Sequence, residues 1–96
     1  MKSLDTILSL ILKNKPVLQK KYPIKTISVF GSFARGDNNE NSDVDILVEF
    51  EKHVGIEFID LANDLESILH QKVDLISKTG IKQKYLKIIE KDLHYV

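Results

Sequence analysis

The sequence predicts an α/β fold (α+β in the wider sense), in which a small sheet of at least three strands is backed by helices. The alternation of two kinds of segment predicts this fold, and the chain length predicts the number of domains. Segments with apolar residues at helical spacing alternate along the chain with short segments that are rich in β-branched residues or that alternate between apolar and polar residues. The chain also has only 96 residues, so residues 1–96 are expected to form a single domain.

The first third of the sequence is expected to form a helix followed by a strand. Apolar residues recur every three or four positions over residues 4–13, which predicts an amphipathic helix. Pro16 is then expected to begin a second short helix or a turn, and Pro23 to end it. Residues 24–30 are rich in β-branched side chains and predict the first strand, which Gly31 ends.

The rest of the chain continues this alternation. A polar loop over residues 37–42 leads into a second strand over residues 43–50, where apolar and polar side chains alternate. Helical spacing returns over residues 56–70. A short strand is predicted over residues 72–76 and a last helix over residues 81–93. One side of this last helix carries Ile81, Tyr85, Ile88, Ile89 and Asp92.

Charge and composition limit the classes of function. Fourteen basic residues balance fourteen acidic ones, so no overall charge favours a membrane surface or nucleic acid, and direct nucleic-acid binding is not expected. The chain has no cysteine, which excludes disulfides and thiolate metal sites and is compatible with a cytoplasmic location. Its short apolar run, Ile7–Leu12, contains Ser9, and we predict neither a signal peptide nor a membrane span.

Three aspartates are the first candidates for chemistry. Asp43 and Asp45 are two residues apart on a predicted strand, so both side chains leave the same face. A divalent cation offsets the repulsion between two such carboxylates, and hard oxygen ligands select Mg²⁺. Asp74 lies in the next predicted strand and can face the same point if the two strands are neighbours. Three carboxylates placed in this way suit metal-dependent phosphoryl chemistry and are candidate metal ligands.

A possible phosphate-binding segment precedes these acids. Gly31 has no Cβ and allows the backbone to approach a ligand closely. Ser32 can cap a short helix and donate its hydroxyl to a phosphate, and the amide groups at the start of that helix would point toward an anion. Arg35, one turn further along, could bind a triphosphate through its planar guanidinium group. A phosphate-binding turn followed by a metal-binding acid pair suits a nucleoside triphosphate with Mg²⁺.

These motifs resemble a known signature. The stretch Gly31–Gly36, which reads Gly-Ser-Phe-Ala-Arg-Gly, and the Asp-Val-Asp of Asp43–Asp45 follow each other as in the DNA polymerase β-like nucleotidyltransferases. Ten residues separate the Gly-Ser from the Asp pair, as in that superfamily. The resemblance implies a small mixed sheet backed by helices. It also implies that Gly31 and Ser32 bind the triphosphate of ATP, that Asp43 and Asp45 bind Mg²⁺, and that Asp74 is the third acid and the base for the incoming hydroxyl.

The short chain is similar to the minimal nucleotidyltransferases of prokaryotes, a resemblance that covers nearly all of it. In that group the protein is usually the antitoxin of a HEPN-domain ribonuclease toxin, and such antitoxins transfer AMP from ATP to a toxin tyrosine. The resemblance therefore implies a type VII-like antitoxin that could form an oligomer with its toxin. Two alternatives stay open: neutralisation of the toxin by binding alone, and nucleotidyl transfer to a small molecule or an RNA end.

Several of these residues also have a purely structural explanation. An isolated Asp-x-Asp pair is often the solvated face of an edge strand, and Arg35 could lock a loop or lie free on the surface. Glu49 continues the face of the aspartates without an expected role. Tyr22, Tyr85 and Tyr95 are expected to pack, and the three histidines lack the spacing of metal ligands. The row of Lys78, Lys82, Lys84, Lys87 and Lys91 is either a solvated helix face or a surface for a partner.

Overall fold

A computed structural model describes residues 2–96 and has a four-stranded mixed sheet in the strand order β3-β2-β1-β4. The strands are β1 (Ile24–Phe30), β2 (Val44–Phe50), β3 (Val73–Ser77) and β4 (His94–Tyr95). β1 pairs antiparallel with both β2 and β4, and β2 pairs parallel with β3. The helices are α1 (Leu4–Lys21), α2 (Gly31–Arg35), α3 (Glu57–Leu69) and α4 (Gln83–Ile89). The predicted α/β fold with a small mixed sheet is confirmed.

Helix α1 continues through the proline that was expected to interrupt it. Ser3 caps its start and accepts a hydrogen bond from the Thr6 amide at 3.3 Å. Pro16 cannot donate to the carbonyl of Leu12, but Leu12 is exposed and water can reach that carbonyl. Leu18, beyond the proline, is buried with the earlier residues of the helix. The prediction of two separate elements was wrong, because burial of a continuous apolar stripe outweighs the cost of one proline.

One face of the sheet carries the hydrophobic core. The inward side chains of β1 and β2 meet α1 and α3 there, and the apolar alternation predicted for β2 is confirmed. The bounds of β2, α3 and β3 lie within one residue of those predicted. The fully buried members of this core include Ile7, Ile11, Val29, Ile46, Leu61, Leu65 and Leu69.

The second face of the sheet is covered by the C-terminal segment. Ser28 and Leu47 are partners in register on this face, and both are buried outside the main core. The segment contacts β2 through the 3-10 turn Lys78–Gly80 and contacts β1 and α2 through the 3-10 turn Glu90–Asp92. It therefore crosses the second face from the β3 edge of the sheet to the opposite edge, with α4 between the two turns.

The predicted helix over residues 81–93 is too long at both ends. Helix α4 ends at Ile89, and the chain then forms β4, which pairs with β1 because that strand offers an open edge. Leu86 is the buried residue of α4, whereas Ile88 is exposed, and so is Tyr85, which was expected to pack. Tyr95 is exposed as well, and of the three tyrosines only Tyr22 packs as expected.

None of the helices within residues 2–96 combines the length and the apolar character that crossing a membrane would require.

Candidate active site

The two strands that carry the candidate acids are neighbours. Asp45 and Asp74 are Cα partners in the parallel pair of β2 and β3, and their side chains leave the same face of the sheet. Asp43 lies one residue before β2 and is half-buried, as is Asp45, whereas Asp74 is exposed. The expectation that Asp74 faces the same region as the Asp pair is confirmed. The three carboxylates lie where β2 and β3 begin.

The environment of Asp45 disfavours its charged form. Burial is the main cause that raises the pKa of this carboxyl from 3.8 to about 6, and the negative charges of Asp74 and then Asp43 add to it. The positive charge of Arg35 acts in the opposite direction but does not compensate. A bound cation would offset this repulsion. The electrostatics of the site therefore favour the three carboxylates together with a cation over the three carboxylates alone.

Gly31 is required by the position of Asp45. Its φ is +76°, a backbone conformation that other residues rarely adopt. A Cβ at this position would overlap Asp45 Oδ2 and lie 2.9 Å from Asp45 Cγ. The carboxylate of β2 therefore lies directly over the backbone where β1 turns into α2. This contact joins the predicted phosphate-binding turn to the predicted metal-binding acids.

The turn after β1 is a single short helix, but Ser32 does not cap it. Helix α2 begins at Gly31 with Phe30 at the N-cap position, and no side chain caps its amide groups. Ser32 lies inside the helix, where its carbonyl accepts hydrogen bonds from the amides of Gly36 at 2.9 Å and Asp37 at 3.1 Å. The expected capping role of Ser32 was wrong. The helix already begins at Gly31, which has a positive φ, so the N-cap position is occupied by Phe30, two residues before Ser32. The first amides of α2 thus have no side-chain cap.

Arg35 is held by two aspartates. Its Nε donates to Asp37 Oδ2 at 3.1 Å, and its Nη1 donates to Asp92 Oδ2 at 3.4 Å. These hydrogen bonds raise the pKa of the guanidinium group above its already high value. The guanidinium group links α2 to the C-terminal segment, which favours the loop-locking explanation over a phosphate contact in this state. Sequence reasoning missed Asp92, because nothing in the sequence indicates that residues 35 and 92 meet.

Comparison with protein families identifies the class of this domain. The model of the nucleotidyltransferase domain matches residues 12–96 of the chain. The chain belongs to this family.

Whole-length relatives agree with that assignment. A relative from Methanocaldococcus jannaschii, provisionally named a protein adenylyltransferase, is 46% identical over 100 residues and is matched over all of both chains. Protein adenylyltransferase MntA of Thermococcus cleftensis is 38% identical over 97 residues, which cover 100% of this chain and 98% of the relative. The resemblance to the minimal nucleotidyltransferases is thereby confirmed.

Solved structures share the fold. A provisionally named minimal nucleotidyltransferase has a TM-score of 0.77 and 29% identity, covering 97% of this chain and 95% of that one. A toxin-antitoxin crystal structure with AMP-PNP has a TM-score of 0.71 and 25% identity, covering 98% of this chain and 72% of that one. A tri-AMPylated Shewanella oneidensis HEPN toxin in complex with an MNT antitoxin has a TM-score of 0.61 at 22% identity, covering 96% of this chain and 66% of that one, and supports the fold alone.

In this nucleotidyltransferase domain, Glu49 lies apart from the three acids. It is on the same face of β2 as Asp45 but near the opposite end of the strand. Its carboxylate lies 3.9 Å from Lys25 Nζ and 3.7 Å from Lys78 Nζ, and it accepts a hydrogen bond from Thr26. Glu49 therefore links β1, β2 and the turn after β3, and it serves as a natural control for the candidate catalytic acids.

The candidate acids of this nucleotidyltransferase domain can be compared with the ligand preference of Mg²⁺. Within residues 2–96, no three Asp, Glu or His side chains are close enough to form a complete metal site. Mg²⁺ prefers one or two carboxylates together with phosphate oxygens and water, rather than a cage of protein ligands. Two carboxylates beside the predicted phosphate-binding turn fit that preference.

Proposed function

We propose that this chain is a Mg²⁺-dependent protein adenylyltransferase that transfers AMP from ATP to a tyrosine of a HEPN-domain toxin and so acts as an antitoxin in the cytoplasm. The observation that carries the proposal is the contact between Gly31 and Asp45, with Asp74 in register on the next strand. This contact supports the proposal, because the turn that would hold the triphosphate lies against the acids that would hold the metal.

Each residue then has a role in the reaction. The backbone at Gly31 and Ser32 would hold the triphosphate, and Asp43 and Asp45 would hold Mg²⁺, with Asp74 as a third candidate ligand. A bound Mg²⁺ supplies charge stabilisation to the phosphate oxygens and to the departing pyrophosphate. The tyrosine oxygen attacks the α-phosphorus, the bond to pyrophosphate breaks, and the exposed carboxylate of Asp74 accepts the hydroxyl proton.

The exposure of Asp74 supports a protein as acceptor. The base of the reaction lies at the surface, so a tyrosine on a docked protein can reach it without entering a deep cavity. The names of the Thermococcus cleftensis relative and of the AMP-PNP complex support adenylyl transfer from ATP within a toxin-antitoxin pair.

The test uses a purified HEPN-domain protein from the same genome, a tenfold deficit of this chain, ATP and Mg²⁺, with intact mass as the readout. We expect a gain of one or more AMP units on most toxin molecules, because an enzyme turns over. Asp45→Asn should abolish the gain, whereas Glu49→Gln, on the same strand face, should retain it.

An unchanged toxin mass, with protection only at a stoichiometric ratio and without ATP, would contradict the proposal. It would then assign this chain to the antitoxins that act by binding alone, because such neutralisation follows mass action and reverses on dilution. Modification of RNA ends or of a small molecule in the same mixture, with no modified protein, would instead assign it to the remaining alternative.

A further inference from the structure

Helix α4 presents an exposed surface that the proposed chemistry does not use. Residues 81–91 contain four lysines and a single acid, Glu90. Leu86 is buried and fixes the orientation of the helix, so the residues two positions away on either side point outward. The α4 surface, as we name it, consists of Lys84, Tyr85, Lys87, Ile88 and Lys91.

The α4 surface combines apolar area with unbalanced positive charge. Tyr85 is 52% exposed and Ile88 is 61% exposed, although both are large apolar side chains. Among residues 2–96, no carboxylate lies within ion-pair distance of Lys84, Lys87 or Lys91. Lys84 Nζ lies 5.2 Å from the centre of the Tyr85 ring, so the charge borders the apolar area directly. Apolar residues surrounded by charges are typical of protein docking surfaces.

The position of α4 relates this surface to the reaction. The helix belongs to the segment that covers Ser28 and Leu47, and Leu47 leaves the same face of β2 as Asp45. Immediately after α4, Asp92 binds Arg35 of the helix that begins at Gly31. A protein docked on α4 would therefore lie on the side of the sheet that carries the carboxylates.

We propose that the α4 surface is where the acceptor protein docks, through an acidic surface with an apolar side chain at its centre. This inference rests on the proposed function, because it assumes that the acceptor is a protein. Charge complementarity to Lys84, Lys87 and Lys91 requires an acidic partner, and exposed Ile88 requires an apolar contact. A nucleic acid would satisfy the lysines but would leave Ile88 without a suitable contact.

The test measures docking and transfer separately, with the same purified HEPN-domain protein. Lys84→Glu combined with Lys87→Glu should weaken binding by at least about tenfold at low salt, with a smaller difference at high salt. The rate of AMP transfer at low toxin concentration should fall in proportion, while MgATP binding stays unchanged. Ile88→Ala should weaken binding with little dependence on salt. The matched control is Lys13→Glu combined with Lys20→Glu, which makes the same charge change on exposed positions of α1.

The outcomes distinguish this inference from the proposed function. If the wild-type chain modifies the toxin and the α4 variants bind and modify it equally well, the docking inference is overturned and the function stands. If the wild-type chain binds the toxin through α4 but transfers nothing, the docking inference holds and the enzymatic proposal fails. If the lysine variants lose affinity for a 20-nucleotide RNA but not for the toxin, the surface binds nucleic acid and the docking inference is wrong.

Discussion

Gly31→Ala is the sharpest test of the contact between the predicted phosphate-binding turn and the acids. An alanine at φ +76° costs about 1–2 kcal/mol in backbone strain. The new Cβ also displaces the Asp45 carboxylate, which costs about 0.5–1.5 kcal/mol more if its side chain must leave a rotamer minimum. The expected loss of about 1.5–3.5 kcal/mol would lower the melting temperature by roughly 6–28 °C for a chain of this size.

The loss of AMP transfer in Gly31→Ala should be larger than its loss of stability explains. A carboxylate displaced by about 1 Å from its productive position costs on the order of 100-fold in rate. The assay is AMP transfer measured at a temperature where the variant is fully folded by circular dichroism, together with urea denaturation for the free energy of unfolding. Activity and stability are thus measured on the same folded population.

Gly36→Ala provides a matched control. Gly36 has φ +82°, but an added Cβ would meet no atom of residues 2–96 within 4 Å. Backbone strain should lower the stability of this variant by about 1–2 kcal/mol and no more, and its transfer rate should be unchanged. Adding Asp45→Ala to Gly31→Ala should restore most of the excess stability loss but no activity. Equal stability losses and equal transfer rates for the two glycine variants would refute the reasoning, because Asp45 would then not constrain residue 31.

The remaining predictions concern the acids, the arginine and the buried tyrosine. Because the raised pKa of Asp45 lies near 6, the folded state binds more protons than the unfolded state between about pH 4 and 6. Asp45 therefore makes stability fall as pH rises through that range. Asp45→Asn should remove this fall in urea titrations across pH, and a wild-type curve identical to the variant's would contradict it. Asp43→Asn should abolish transfer without unfolding the chain, and Asp74→Asn should slow it by about 10²–10⁴-fold if this carboxylate is the base; wild-type rates would exclude these roles. Arg35→Gln should raise the KM for ATP only if the guanidinium group binds the triphosphate. Asp92→Asn removes only the ion pair between Asp92 and Arg35 and should leave that KM unchanged. Tyr22→Phe should cost about 1–2 kcal/mol in urea denaturation, because the hydroxyl donates to Asp64 at 2.6 Å; an unchanged midpoint would show that water replaces this bond.

The parts of the structure that depend on local patterns could be predicted from the sequence. Strand β1 has the predicted bounds, and β2 and β3 place Asp45 beside Asp74 as their apolar neighbours indicated. These predictions succeeded because alternation in a strand with one buried face fixes which side chains share a face. The functional roles of Gly31, Ser32, Asp43 and the other site residues remain predictions until the variants are measured.

The parts that depend on distant contacts could not be predicted in the same way. Nothing local shows that Leu18 continues the buried stripe of α1 beyond Pro16, or that His94 and Tyr95 find an open edge of β1. The ion pair between Arg35 and Asp92 joins a residue of the Gly31–Gly36 motif to a residue close to the last one, Val96. In each case the partner comes from a distant part of the sequence, and single-sequence periodicity carries no information about it.

The mixed direction of the sheet also has a consequence for the order in which the molecule becomes active during folding. β1 and β2 are consecutive antiparallel strands and can pair after closing one loop, whereas β2 and β3 are parallel and require the whole crossover through α3. Gly31 meets Asp45 through the first pairing, but Asp74 joins them only through the second. A refolding chain would thus bring Gly31 and Asp45 together before Asp74 joins them. If the three acids have the proposed roles, the complete candidate site would form only in the later, slower step of sheet formation.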